Sequence, residues 1–177
     1  MYQKILVAID NSETSDRLFT EALDLARATQ SALLLVHSLS GDDDGGPLPL
    51  NSRLDSIYWV PGTEIDVEAW RVDWDRYETA SLERLQRYSG TANAAGVPTE
   101  FRQLVGNPGK VLCTAAHQWD ADLIIVGNRG RRGLAELMLG SVSNYVLHHA
   151  PCSVLVIKED ALTTEASPAA ATTTTVD

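Results

Sequence analysis

Cysteine is scarce in this chain. Only Cys113 and Cys152 occur, far apart and in segments that read as buried. A disulfide scaffold is therefore excluded, and a reducing cytoplasm is the simplest location. Positive charge is also short: 14 Lys and Arg stand against 24 Asp and Glu, a formal net charge of -10. That balance repels a polyanion such as DNA or RNA, so nucleic-acid binding is set aside. No apolar run approaches the roughly 20 residues that cross a bilayer. The stretch Met1 to Asp10 lacks the basic, apolar and small-residue order of a signal peptide. No membrane association is expected. The P-loop pattern, the dinucleotide pattern G-x-G-x-x-G and the hydrolase elbow G-x-S-x-G are all missing. No histidine is paired with an obvious nucleophile. His148, His149 and Cys152 are close in sequence, but adjacent histidines on a helix diverge and no fourth metal ligand is evident. A helix C-terminus that favours His, followed by Pro151 as a stop, explains them better.

What is present suits one α/β domain. The chain has 177 residues, 44% of them hydrophobic, enough for a real core. Lys4 to Ile9 (KILVAI) is a nearly continuous apolar run ending at Asp10. Such runs suit strands covered on both faces, as in parallel sheets. A helix is predicted from about Ser15 to Thr29, with Leu18, Ala22, Leu25 and Ala26 on one face. Ala32 to Val36 reads as a second strand, and Pro98 to Val105 as a third, less apolar and nearer an edge. Asn107-Pro108 opens a helix as a cap followed by proline at the first helical position. Asp122 to Val126 is a fourth strand, Ser141 to His149 a helix, and Ser153 to Ile157 a fifth strand. This alternation predicts an open five-stranded parallel sheet with helices on both faces.

Two regions depart from the alternation. Gly41 to Gly62, with Asp42-Asp43-Asp44 and Gly45-Gly46, reads as a long loop. Glu64 to Ala95 then reads as a helix whose Trp70 and Trp74 suit a buried face, with Gly96 and Pro98 marking its end. The tail 159–177 has almost no large apolar residue and is expected to be disordered, which leaves residues 1–158 as the folded domain.

In such a sheet the ligand crevice lies beyond the carboxyl ends of the strands, where the strand order reverses. Asp10 and Gly127 end the first and fourth strands and face one another if those strands are neighbours. The segment Gly127 to Ser143 reads GNRGRRGLAELMLGSVS. Its Gly127, Gly130 and Gly140 let backbone amides approach a ligand. The helix start at Ser141 supplies free amides and a positive dipole end, and Ser141 and Ser143 can add hydroxyls. Arg129, Arg131 and Arg132 put three positive charges into one loop of an acidic chain. Phosphate is the ligand these features share. The plainer alternative is a glycine turn followed by an ordinary serine cap; a lone glycine pair would favour it, and the full cluster favours phosphate.

The spacing Gly127-x2-Gly130-x9-Gly140-Ser141 resembles the nucleotide-binding signature of the universal stress protein family. The opening strand KILVAID and the ending HAPCSVLVIK are similar to the family's first and last strands. The resemblance implies a Rossmann-like sheet in the order 3-2-1-4-5, a homodimer, and binding of ATP or AMP. It places Asp10 on the ribose, Ala8 and Ile9 near the base, and Val36 against the adenine. Gly127, Arg129, Gly130, Gly140, Ser141, Val142 and Ser143 would hold the phosphates. ATP would bring Mg²⁺ or Mn²⁺, held mainly by phosphate oxygens with one carboxylate at most. The insertion at 41–62 is longer than the family leads one to expect; it is a lid or, more simply, a solvated loop. The function implied is a cytoplasmic stress-response sensor or regulator. The rival readings are a slow ATP hydrolase or nucleotidyl transferase on the same fold, and a dimeric interaction module with an empty pocket.

Overall fold

The computed structural model describes residues 1–12, 14–40, 47, 67–128 and 139–158. The expected loop at 41–62 (Pro47 apart), the tail at 159–177, and Arg129, Gly130, Arg131 and Arg132 lie outside the described residues. The elements run in order β1 (Lys4–Ala8), α1 (Thr14–Thr29), β2 (Ala32–Leu39), α2 (Val67–Ala94), β3 (Thr99–Val105), α3 (Pro108–Trp119), β4 (Leu123–Asn128), α4 (Ser141–His149) and β5 (Ser153–Lys158). The five strands form one sheet in the order β3-β2-β1-β4-β5. All neighbours are parallel. β1 is central, with Val7 beside Leu35 on one flank and Ile125 on the other. The less apolar β3 is an edge strand, as its composition predicts.

The pleat sends alternate residues to opposite faces, and each face has its own helices. Ile5, Val7, Leu33, Leu35 and Ile125 pack with Leu18, Phe19 and Ala22 of α1 and with Leu85 and Ala92 of α2. Leu6, Leu34, Val36, Ile124 and Val126 pack with Leu112, Ala115 and Ala116 of α3 and Val146 of α4. Each fully buried Leu or Ile contributes about 1.5–3 kcal/mol of transfer free energy, which makes these two layers the main stabilising term. Between α1 and α2, Phe19 stacks on Tyr88 with ring centroids 4.4 Å apart, and the Tyr88 hydroxyl donates to the Asp16 carboxylate.

Local chemistry sets the boundaries. The Asn107 side chain accepts the Lys110 N–H and Pro108 occupies the first turn of α3, as the sequence predicts. Gly96 takes a φ of 82° just past α2, a left-handed conformation that favours glycine. Several expectations need correction. β1 stops at Ala8, although the Ile9 N–H still donates to the Val36 carbonyl at 2.9 Å. β2 runs on to Leu39 because His37 and Ser38 are buried and partnered rather than solvated. β4 includes Gly127 and Asn128, which pair with Ile157 and Lys158. Trp70 and Trp74 are only half-buried: they stack on each other at 5.4 Å, and only Tyr77, next in that row, reaches the core. Cys113 and Cys152 are likewise half-buried, and desolvation pushes both thiols up.

Candidate functional site

The site is built at the carboxyl ends of β1, β4 and β5, beside the first turn of α1. The chain leaves β1 and turns sharply at Asp10. The Oδ1 atom of Asp10 accepts the Ser12 N–H at 2.8 Å and is also within hydrogen-bond reach of the Ser12 and Ser15 hydroxyls. The Asp10 N–H donates to Ser15 Oγ at 3.0 Å. This reciprocal turn is a local Asp–Ser arrangement at a helix entry. Arg84 of α2 tightens it from outside, donating from Nη1 to the Ser12 carbonyl at 2.7 Å.

A cleft of about 240 Å³ opens beside this turn. Ala8 and Asp10 line it from the end of β1, Gly127 and Asn128 from β4, and Ile157 and Lys158 from β5. The remaining wall is the start of α1, with Thr14, Ser15, Arg17 and Leu18. Asp10 and Gly127 thus share one cleft, as the strand order requires. A Cβ at Gly127 would meet no atom of the described residues within 4 Å. Those residues therefore do not require glycine at this position, and its backbone lies bare where the cleft opens.

The start of α4 is fastened to the same strand end. The Ser143 hydroxyl, buried, donates to the Gly127 carbonyl at 2.7 Å, and the Gly140 N–H donates to Asn128 Oδ1 at 3.2 Å. No side chain caps α4 at Gly140. The first turn of any helix leaves its N–H groups without intrahelical partners, so this end offers donors and a positive dipole end. Ser141 is exposed, and Val142 is half-buried against the α3 and α4 layer. Ser143 holds α4 to β4 through its proton, so only its lone pairs are left for any other partner.

Other predicted residues lie elsewhere. The side chains of Ile9 and Val36 are buried in opposite core layers and do not line the cleft. Their proximity to it is through backbone, at the Ile9 N–H to Val36 carbonyl bond. Arg129 and Gly130 are outside the described residues. His37, near the end of β2, is 1% exposed, with Nδ1 at 2.9 Å from the Ile9 carbonyl and Nε2 at 3.3 Å from the Tyr77 hydroxyl. Sequence reasoning missed Asn128, Arg17 and Lys158. Asn128 carried a weak signal as the polar residue after a strand-ending glycine, whereas Arg17 and Lys158 are brought in by strand register and helix placement alone. Among the described residues no group of three His, Cys, Asp or Glu side chains is arranged to hold a metal ion. No described helix is long and apolar enough to cross a membrane.

Comparison with known proteins agrees with the fold. The model of the universal stress protein family matches residues 1–158. A universal stress protein of Synechocystis is 35% identical over 160 residues, covering 89% of this chain and 98% of the relative. A solved universal stress protein in complex with cAMP superposes with a TM-score of 0.59 at 25% identity, covering 89% of this chain and 97% of its own. An Arabidopsis thaliana family member with AMP bound shares the fold, with a TM-score of 0.57 at 23% identity and coverage of 94% and 99%.

Proposed function

The chain belongs to the universal stress protein family, and from that premise we propose that it binds an adenine nucleotide, AMP or ATP, in the cleft at the ends of β1 and β4. The observation that carries the reading is Gly127: a cleft glycine whose added Cβ would touch no atom of the described residues. A bare backbone there serves a ligand that comes close. The family members solved with cAMP and AMP support an adenine nucleotide as that ligand.

In this reading the base lies over the Ala8 and Ile9 backbone near Val36, and Asp10, fixed by Ser12 and Ser15, takes the ribose hydroxyls. Gly127, Arg129, Gly130, Gly140, Ser141 and Val142 surround the phosphates, with Ser143 holding the helix start in place. A triphosphate would arrive with Mg²⁺ or Mn²⁺ on its own oxygens. The protein acts as a cytoplasmic, homodimeric regulator whose dimer or 41–62 loop responds to the nucleotide.

The deciding experiment identifies what the purified protein carries. Denaturing it and running the supernatant on anion exchange should yield AMP or ATP near one per chain. A protein that is empty, and that also ignores added millimolar adenine nucleotides, would overturn the reading in favour of an interaction module. Linear ATP turnover above background, lost in Asp10→Asn, would instead make it an enzyme.

A further inference from the structure

Asn128 lines the cleft with a side chain whose two ends do different things. It follows Gly127 at the carboxyl end of β4 and is half-buried. Its backbone is held by strand pairing with Lys158 of β5. Its Oδ1 accepts the N–H of Gly140, the residue that starts α4, at 3.2 Å. That contact settles which way the amide faces. A backbone N–H can only donate, so the oxygen meets Gly140 and the NH2 group is directed elsewhere. Among the described residues Nδ2 has no hydrogen-bond partner. No buried side-chain nitrogen or oxygen among them lacks a partner, so Nδ2 is accessible rather than orphaned in the core.

Anchoring alone does not call for this side chain. A carboxylate would accept the same N–H and would suit the positive end of a helix better. What the amide has and a carboxylate lacks is donors on its other side, and accepting at the oxygen strengthens them. Asn128 therefore takes up one donor, from Gly140, and presents its own at the cleft. The first turn of α4, with no side chain capping it, adds further backbone donors beside it. A group that meets only donors there must be rich in acceptors, as a phosphate is and a nucleoside is not. We propose that Asn128 is a positioning and specificity residue: its oxygen holds the start of α4 while its NH2 group donates to the phosphate, so that the cleft takes a nucleotide in preference to the bare nucleoside. The proposal rests on the nucleotide reading above and adds to it the side chain that recognises the phosphate.

The test compares AMP with adenosine by titration calorimetry, alongside thermal unfolding, in wild type, Asn128→Asp and Asn128→Ala. Wild type should bind AMP about tenfold or more tightly than adenosine. Asn128→Asp keeps an acceptor for Gly140 and loses the donor. Its Tm should be no lower than that of wild type, with AMP bound about tenfold or more weakly and adenosine within about twofold. Asn128→Ala loses both ends, so it should weaken AMP and also lower Tm by about 2–4 °C. Asn128→Asp binding AMP as wild type does, or losing AMP and adenosine alike, would overturn the role, as would a wild type with no preference for AMP. If Asn128→Asp does not fold, the AMP-to-adenosine ratio of Asn128→Ala decides in the same way. A wild type that binds neither compound would remove the underlying reading, a different result from the others.

Discussion

The two ends of the sheet carry the same residue types in different settings. At the amino end Asp122 Oδ2 accepts the N–H groups of Gln3 and Lys4 at 2.8 and 2.9 Å. Lys4 Nζ donates to the Trp119 carbonyl at 3.0 Å and lies over the Trp119 ring. The Lys4 contacts tie β1 to the end of α3, and the Asp122 bonds tie it to the start of β4; the Gln3 and Lys4 N–H groups first, and nearby positive charge second, hold the Asp122 carboxyl below the usual carboxylate range. At the carboxyl end Asp10 and Lys158 line a cleft instead. What separates the two carboxylates is the partner each meets. Asp122 closes on the backbone of a neighbouring strand, whereas Asp10 is braced by serines of its own turn beside an open space.

This contrast says that damage at the amino end should be read in stability and damage at the cleft in affinity. The largest effect tests its limits. Gly109 follows β3 at the carboxyl end, but a Cβ there would lie 2.5 Å from Cδ1 of Tyr145. Gly109→Ala should therefore cost about 1–3 kcal/mol by overpacking α3 on α4, seen by calorimetry as a lower Tm. A variant as stable as wild type would mean that this helix contact is loose. Next, Asp122→Ala should cost about 1 kcal/mol, a reduced figure for charge-assisted bonds because the side chain is exposed, and should leave nucleotide affinity unchanged. A changed affinity would join the two ends.

The pH dependence sharpens the same point. Because the folded carboxyl of Asp122 sits below its ordinary value of 3.8, its contribution is present above that value and is lost as pH falls through the lower folded one. Wild type should lose more stability than Asp122→Ala between about pH 5 and pH 2, as read from urea midpoints. Parallel curves would remove Asp122 from the account. The smallest effect on stability belongs to Gly127→Ala, within about 0.5 kcal/mol of wild type. Its nucleotide affinity should nevertheless fall about tenfold by titration, and unchanged affinity would move the ligand away from that backbone.

Much of this architecture was legible in the sequence because it depends on local rules. Continuous apolar runs mark strands covered on both faces, Asn107-Pro108 marks a helix start, and Gly96 marks a helix end. The pairing of Asp10 with Gly127 followed from strand order. Illegible features depend on packing across distance. Nothing local distinguishes His37 as buried, since its partners are the Ile9 carbonyl and the Tyr77 hydroxyl from other elements. Trp70 and Trp74 follow the same helical period as Tyr77, yet the core ends before it reaches them. Lys158 looks like the end of a strand until register sets it beside Asn128.

The central place of β1 has a consequence for how the chain acquires its shape. β1 can pair early with β2, where Val7 meets Leu35. Its other flank must wait for β4, since Ile5 pairs with Leu123 across most of the domain. Closing so long a loop is entropically slow, and contacts of this span lower folding rates. During synthesis β1 therefore has one unpaired edge until β4 emerges, and that interval is when a chaperone or a wrong strand has access to it.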